Sequence, residues 1–175
     1  MAARRGETMN SNRLSGALRW SAALLACGAL ALCACASKPP KPAPTQATIA
    51  ASADVNPDSD GRASPVVVRI YQLKGDAEFN GADFFALYDM EQATLGSSLI
   101  LRDERTLFPG QSVKLDLALS PDARFLGVAA AYRDIRSSRW RALVGVHEKS
   151  LLKLLAKRRV TVKVDKNAVG IAVTD

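Results

Sequence analysis

The chain is poor in the residues that most enzymatic and metal chemistry draws on. In 175 residues it has three cysteines, one histidine, two tryptophans and three methionines. All three cysteines, Cys27, Cys33 and Cys35, fall at or before position 35. The sequence beyond them therefore forms no disulfide, offers no thiolate nucleophile and builds no cysteine metal site. Its fold is stabilised by its core alone. His147 stands beside Glu148, but no G-x-S-x-G or comparable nucleophile motif accompanies the pair, so it reads as a surface histidine at a strand end. Glycine-rich phosphate loops are missing. Asp58, Asp60 and Gly61 resemble half a calcium loop, yet the other ligands and the closing Glu are lacking. The main apolar run, Trp20 to Leu32, is about 13 residues, short of the ~20 that a membrane-spanning helix needs. A strong charge of one sign is lacking too. The formal +7 comes from 24 basic and 17 acidic residues, and Arg4, Arg5, Arg13 and Arg19 against Glu7 place +3 of it in the first 34. The remaining +4 is a weak argument for nucleic acid as a partner.

What is present begins with the leader. Arg13 and Arg19 precede the apolar run, and Arg4 and Arg5 precede Met9, a second candidate initiator. The run ends in Leu32-Cys33-Ala34-Cys35. An aliphatic residue at −3, a small residue at −1 and then cysteine is the pattern that bacterial lipoprotein signal peptidase reads. On this reading residues 1–34 are a signal peptide and Cys35 becomes the acylated N-terminus. Two or more acyl chains make a stable anchor where one does not. Ala36, in place of an Asp that would favour retention at the inner membrane, favours the outer membrane. Three alternatives stay open: cleavage after Ala36 at the small-x-small site Ala34-x-Ala36, a retained membrane anchor, and modification of Cys27 after Leu24-Leu25-Ala26. The last would leave Gly28 to Leu32 as an exposed apolar tail.

Residues 35–63 read as the acylated cysteine and a flexible tether. Five of the eight prolines lie there, and Ile49 and Val55 are too few to found a core. Such a segment has a root-mean-square reach on the order of 30 Å. The folded domain is expected over 64–175, long enough for one real core.

Period-two alternation dominates that domain. Val66, Val68 and Ile70 share one face of a strand. So do Val113, Leu115, Leu117 and Leu119, after a turn at Phe108-Pro109-Gly110-Gln111. Phe125 to Tyr132 is apolar on both faces, as in a central strand. Trp140 to Val146 and Val160 to Val164 alternate, and a turn near Lys166-Asn167 leads to Val169, Ile171 and Val173. Leu99 to Leu101 adds a short strand. Phe84, Leu87 and Tyr88 make a helical stripe within 83–96, capped by Asp83 and ended by Gly96. Leu151, Leu154 and Leu155 make another within 150–158, closed by Lys157, Arg158 and Arg159. About seven or eight short strands with one or two short helices predict a mainly-β, antiparallel β-sandwich. Arg133, Arg136, Arg139 and Arg141, interleaved with Tyr132 and Trp140, read first as a solvated strand–turn–strand edge and next as a partner surface.

The order of certain residues carries a resemblance. Val67 and Arg69 lead to Tyr71-Gln72-Leu73, Phe79, Asp83-Phe84 and Leu87-Tyr88. Pro109-Gly110, Gly127-Val128, Ala130-Ala131-Tyr132-Arg133-Asp134 and Trp140-Arg141 follow. With the lipoprotein leader, this set resembles the TssJ (SciN/VasD-type) family of outer-membrane lipoproteins of type VI secretion systems, over about Val66 to Val146. The resemblance implies a transthyretin-like sandwich facing the periplasm and a structural, non-enzymatic role. It implies no cofactor beyond the lipid on Cys35. It also implies the periplasmic C-terminal domain of the inner-membrane protein TssM as partner, with TssL contacted indirectly. The family's loop after the first strand is implicated in gripping TssM. With the first strand at Val66, that loop is Lys74, Gly75, Asp76, Ala77, Glu78, Phe79, Asn80 and Gly81, expected to be exposed. The alternative is a periplasmic lipoprotein whose sandwich binds a different client protein or a small ligand.

Overall fold

Alternating side chains need two apolar faces to close on each other, and the chain meets this need with two four-stranded sheets. The computed structural model describes residues 44–146 and 159–174. The leader, Cys35, His147 and the helix expected over 150–158 lie outside the described residues. The strands are β1 (Pro44–Ala51), β2 (Val66–Leu73), β3 (Leu99–Leu107), β4 (Ser112–Ala118), β5 (Phe125–Ala130), β6 (Arg141–Gly145), β7 (Arg159–Val164) and β8 (Val169–Thr174). One sheet has the order β4-β1-β7-β8 and the other β3-β2-β5-β6. Every ladder is antiparallel except β1–β7, which is parallel. Between the sheets lie Ala47, Ile49, Val66, Val68, Ile70, Leu117, Leu126, Val128, Val160, Val162 and Val164, all buried.

Strand β1 corrects the expected boundaries. The segment read as tether, up to residue 63, contains a strand that sits between β4 and β7 in the middle of its sheet. Ile49 and Val55, judged too few to found a core, are both fully buried. A central strand needs little bulk of its own when both neighbours supply it. Thr45, Ala47, Ile49 and Ala51 turn inward and Gln46 outward, the period-two pattern written in small residues. Pro44 is tolerated because it is the first residue of the strand. The folded domain thus begins about twenty residues earlier than expected.

Strand β3 is longer than its apolar start announced. It continues through Arg102, Asp103, Glu104 and Arg105 to Leu107. It is an edge strand paired only with β2, and charges suit an edge because they deter pairing with another chain. The turn before β4 forms as expected: Gly110 has φ 73°, and the Gln111 amide donates to the Phe108 carbonyl at 3.0 Å.

Three short helices fill the connection from β2 to β3: α1 (Ala77–Gly81), α2 (Phe84–Asp89) and α3 (Glu91–Leu95). The single helix expected over 83–96 is α2 and α3, separated at Met90, whose φ of −126° and ψ of 36° are not helical. Its caps are where the sequence put them. The Asp83 carboxylate accepts from the Ala86 amide at 2.9 Å, and Gly96 ends α3 with φ 52°. This excursion lies against the outer face of the β3-β2-β5-β6 sheet. Phe79, Leu87 and Leu95 join Tyr71, Leu73 and Ala129 in a second buried cluster there. Strand β2 is therefore covered on both sides.

Candidate functional site

The segment Lys74 to Gly81 follows the second strand, not the first, because β1 precedes it. Nor is it an open loop. Phe79 is fully buried, its ring 5.6 Å from that of Tyr71 and seated directly over Gly127 of β5. A Cβ built on Gly127 would lie 2.8 Å from the tip of that ring, so the bare glycine is what lets the ring dock. Lys74, Ala77, Glu78, Asn80 and Gly81 are exposed, and Gly75 and Asp76 are half-buried. Of the eight residues expected to face a partner, Phe79 instead belongs to the core. The Glu78 carboxyl is held below the usual carboxylate range by its own backbone amide and by the Ser98 hydroxyl, which donates to it at 2.9 Å.

Two arginines latch the excursion to the sheet. From β6, Arg141 Nη1 donates to the carbonyls of Phe79 (3.0 Å) and Ala82, the last turn of α1, and its guanidinium lies 4.8 Å from the Trp140 ring centre. From β2, Arg69 Nη1 donates to the Tyr88 carbonyl at the end of α2 (2.6 Å), and its guanidinium stacks 3.7 Å above the Tyr88 ring. Arg69 Nε pairs with Glu104 of β3 at 2.7 Å, and Arg102 bridges Glu104 and Glu91 at 2.8 and 3.1 Å. Cations at helix C-termini meet the free carbonyls and the negative end of the dipole. The Trp-Arg pair expected on a solvated edge is thus partly structural. Trp140 packs edge-on against Phe84, with ring centres 5.3 Å apart.

The other end of the sandwich is organised by a residue that the sequence reading passed over. Strands β1, β5 and β7 run toward it, and the connections 52–65, 131–140 and 165–168 gather there. Asn56, buried and with a left-handed φ of 50°, ties all three together. Its amide donates to the Lys166 carbonyl (3.0 Å), its Oδ1 accepts from the Arg133 amide (2.7 Å), and its Nδ2 donates to the Pro65 carbonyl (2.7 Å). Asparagine is among the few residues that tolerate this φ. Tyr132, buried beside it, donates its hydroxyl to the Asp165 carbonyl at 3.1 Å. Burial first, and the nearby Asp165 charge second, push that phenol well above its ordinary range. The Tyr132-Arg133-Asp134 run therefore acts as a clasp between connections.

Beside Asn56 opens a cleft of about 600 Å³, lined by Asp58, Arg133, Asp134, Lys166 and Asn167 among others. Its carboxylates are engaged within their own turns. Asp58 accepts from the amides of Asp60 and Arg62 and from Arg62 Nε, with Gly61 at φ 78° between them. The Asp58 carboxyl is held low chiefly by the Arg62 amide. Asp134 accepts from the hydroxyl and amide of Ser137, and the hydroxyl does most to lower its pKa. The Asp-x-Asp-Gly run is thus a turn closed by Arg62. Among the described residues no group of His, Cys, Asp or Glu is placed to hold a metal, and no helix is long and apolar enough to cross a membrane.

At the opposite end, Gln72 ties the layers together. Although buried, it donates Nε2 to the Ala118 carbonyl (3.0 Å) and accepts from the Ser120 amide (2.8 Å). This assigns physical roles to the residues that carry the resemblance. Tyr71, Phe79 and Gly127 build the second core, Gln72 and Tyr132 tie connections to the sandwich, and Arg69 and Arg141 are latches.

Comparison with known proteins agrees with this assignment. Residues 43–167 match the family described as Type VI secretion lipoprotein, VasD, EvfM, TssJ. Among solved structures, the chain is similar to the type VI lipoprotein TssJ1 from Pseudomonas aeruginosa, at 34% identity and a TM-score of 0.67, covering 76% of this chain and 98% of that one. It is also similar to Serratia marcescens Lip, a membrane-bound component of the type VI secretion system, at 25% identity and 0.65, covering 77% and 99%. A third similarity is to a chain of the structure described as the TssM C-terminal domain from EAEC, at 28% identity and 0.58, covering 74% and 97%. A comparison with curated proteins gave no match. The matched span begins at the start of β1 and takes in every strand but β8, and the chain belongs to the type VI secretion lipoprotein family of TssJ and VasD.

Proposed function

We propose that the protein is a structural, non-catalytic lipoprotein of the type VI secretion membrane complex. Cys35 carries the lipid and fixes the chain to the outer membrane, and the sandwich stands in the periplasm. There it holds the C-terminal domain of TssM, and through it TssL. Family membership and the likeness to a chain of a TssM-named structure support this reading. Because strand β1 starts at Pro44, only eight residues separate it from Cys35. The nine Cα–Cα steps from Cys35 to Pro44 span at most ~30 Å when fully extended. The domain is then held close to the bilayer, and tethering raises its effective concentration there.

The observation that carries the partner site is the direction of β1. It enters the sandwich at one end and delivers the chain to the other, where Asn56 fixes three connections in one platform. The loop after the first strand is 52–65, so what the resemblance implies for that loop moves there from Lys74–Gly81. The test is binding of the cognate TssM C-terminal domain to two variants. One replaces residues 57–62 by a Gly/Ser segment of equal length. The other changes Lys74, Glu78 and Asn80 to Ala. The first is expected to lose at least about tenfold in affinity, the scale of losing part of an interface hot spot, and the second to stay within about twofold. The reverse pattern returns the contact to the segment after β2.

A further inference from the structure

Two of the three backbone groups that Asn56 binds belong to Arg133 and Lys166, the two cations that line the cleft. Both side chains are exposed, and neither has an ion-pair partner within reach among the described residues. Of the cleft's two acids, Asp58 is paired with Arg62 and held by two amides, while Asp134 accepts from the neutral Ser137 and keeps its charge. Two cations then stand against the one remaining anion, Asp134, which leaves the cleft a net positive charge on a backbone that buried bonds hold rigid. Exposed arginines and lysines usually stand on mobile side chains over a mobile loop, and ordering them for a partner costs entropy. Here Asn56 and the Tyr132 clasp have fixed both backbones in advance, about a cavity large enough for a side chain to enter.

Resting on the reading of the 52–65 end as the partner site, we infer that this cleft receives an acidic side chain, Asp or Glu, of the partner protein between Arg133 and Lys166. Arg133 offers a planar donor fork that suits a carboxylate, and Lys166 adds a point charge from the facing turn. Asn56 is a positioning residue: it sets where both cations stand without touching the partner.

The experiment uses the detergent-solubilised lipoprotein and the cognate TssM C-terminal domain, with affinity and association rate measured at about 50 mM and about 500 mM salt. Arg133→Glu and Lys166→Glu are each expected to weaken binding at least about threefold, and together about tenfold, mostly through the association rate. Arg133→Gln is expected to fall between wild type and Arg133→Glu. The double reversal should also flatten the salt dependence. Lys114→Glu, an exposed reversal on the outer face of the other sheet, should change neither. Thermal melts of all variants should match wild type, because both side chains are solvent-facing. If the reversals bind like wild type while the 57–62 replacement still loses affinity, carboxylate recognition is overturned and the loop reading stands. If neither set changes binding, both fall.

Discussion

Gly127 on β5 supports a quantitative test of how the segment after β2 is held. An alanine Cβ there would lie 2.8, 2.9 and 3.2 Å from three atoms of the Phe79 ring, where ordinary contact begins near 3.4 Å. The ring must withdraw by several tenths of an ångström, and it has little room, being fully buried against Tyr71. Overpacking of this kind costs about 1–3 kcal/mol. Replacing glycine within a strand returns about 0.4–1 kcal/mol by restricting the unfolded chain. The net for Gly127→Ala is a loss of about 1–2 kcal/mol, or roughly 3–10 °C in Tm for a domain of this size. Chemical denaturation of wild type, Gly127→Ala, Phe79→Leu and the double variant separates packing from backbone effects. Phe79→Leu alone leaves a gap and destabilises, but it also vacates the space the alanine needs. The double variant should therefore be more stable than the sum of the single losses by about 1 kcal/mol. A Gly127→Ala protein as stable as wild type, with additive double-variant energies, would refute the docking of Phe79 on Gly127.

Three further outcomes follow from the geometry. Arg69→Gln should cost about 1–2 kcal/mol in urea unfolding, because it loses the bond to the Tyr88 carbonyl and a pair with the half-exposed Glu104, and leaves Glu91 facing Arg102 alone. Asn56→Gly, which keeps the left-handed φ but removes both side-chain bonds, should lose about 2 kcal/mol, and Asn56→Ala about 1 kcal/mol more from strain. The Asp134 carboxyl should titrate below its ordinary value by NMR, and Ser137→Ala should move its midpoint upward. The sign follows from linkage. A folded-state pKa below the unfolded one gives stability that is present above the unfolded value and is lost as pH falls through the folded value. The Ser137→Ala melt should therefore depend less on pH in the acid range than that of wild type.

Much of the fold was legible because period two survives wherever one face meets the core. Val66-Val68-Ile70 and Val160-Val162-Val164 announce strands, and Asp83 and Gly96 mark the ends of the helical stretch by their side-chain chemistry. Strand β1 was hidden because the same alternation is written in Thr, Ala and one Ile beside prolines. The mean composition of that stretch resembles a linker even though its pattern does not. The charged half of β3 was hidden because an edge strand owes its place to backbone pairing and not to apolar side chains. The loop after the first strand was placed one strand too late for the first of these reasons, since counting strands from Val66 put that loop at Lys74. Asn56 was missed because its role is played by three hydrogen bonds, two of them to segments distant in sequence. The local signal was an Asn-Pro step between Val55 and Asp58, a turn mark that does not reveal what the turn touches. The resemblance residues Tyr71, Gln72, Tyr132 and Arg141 were legible as a set, and the structure supplies their separate physical reasons.

The central claim is that lipid on Cys35 and a partner-binding sandwich act together, one fixing the protein at the outer membrane and the other holding TssM. Secretion by cells whose only copy is Cys35→Ser tests it most directly, with fractionation and TssM capture on the same cells. The account predicts a folded, soluble periplasmic protein that still captures TssM while type VI secretion is lost. Secretion at the wild-type level from that soluble protein would contradict it.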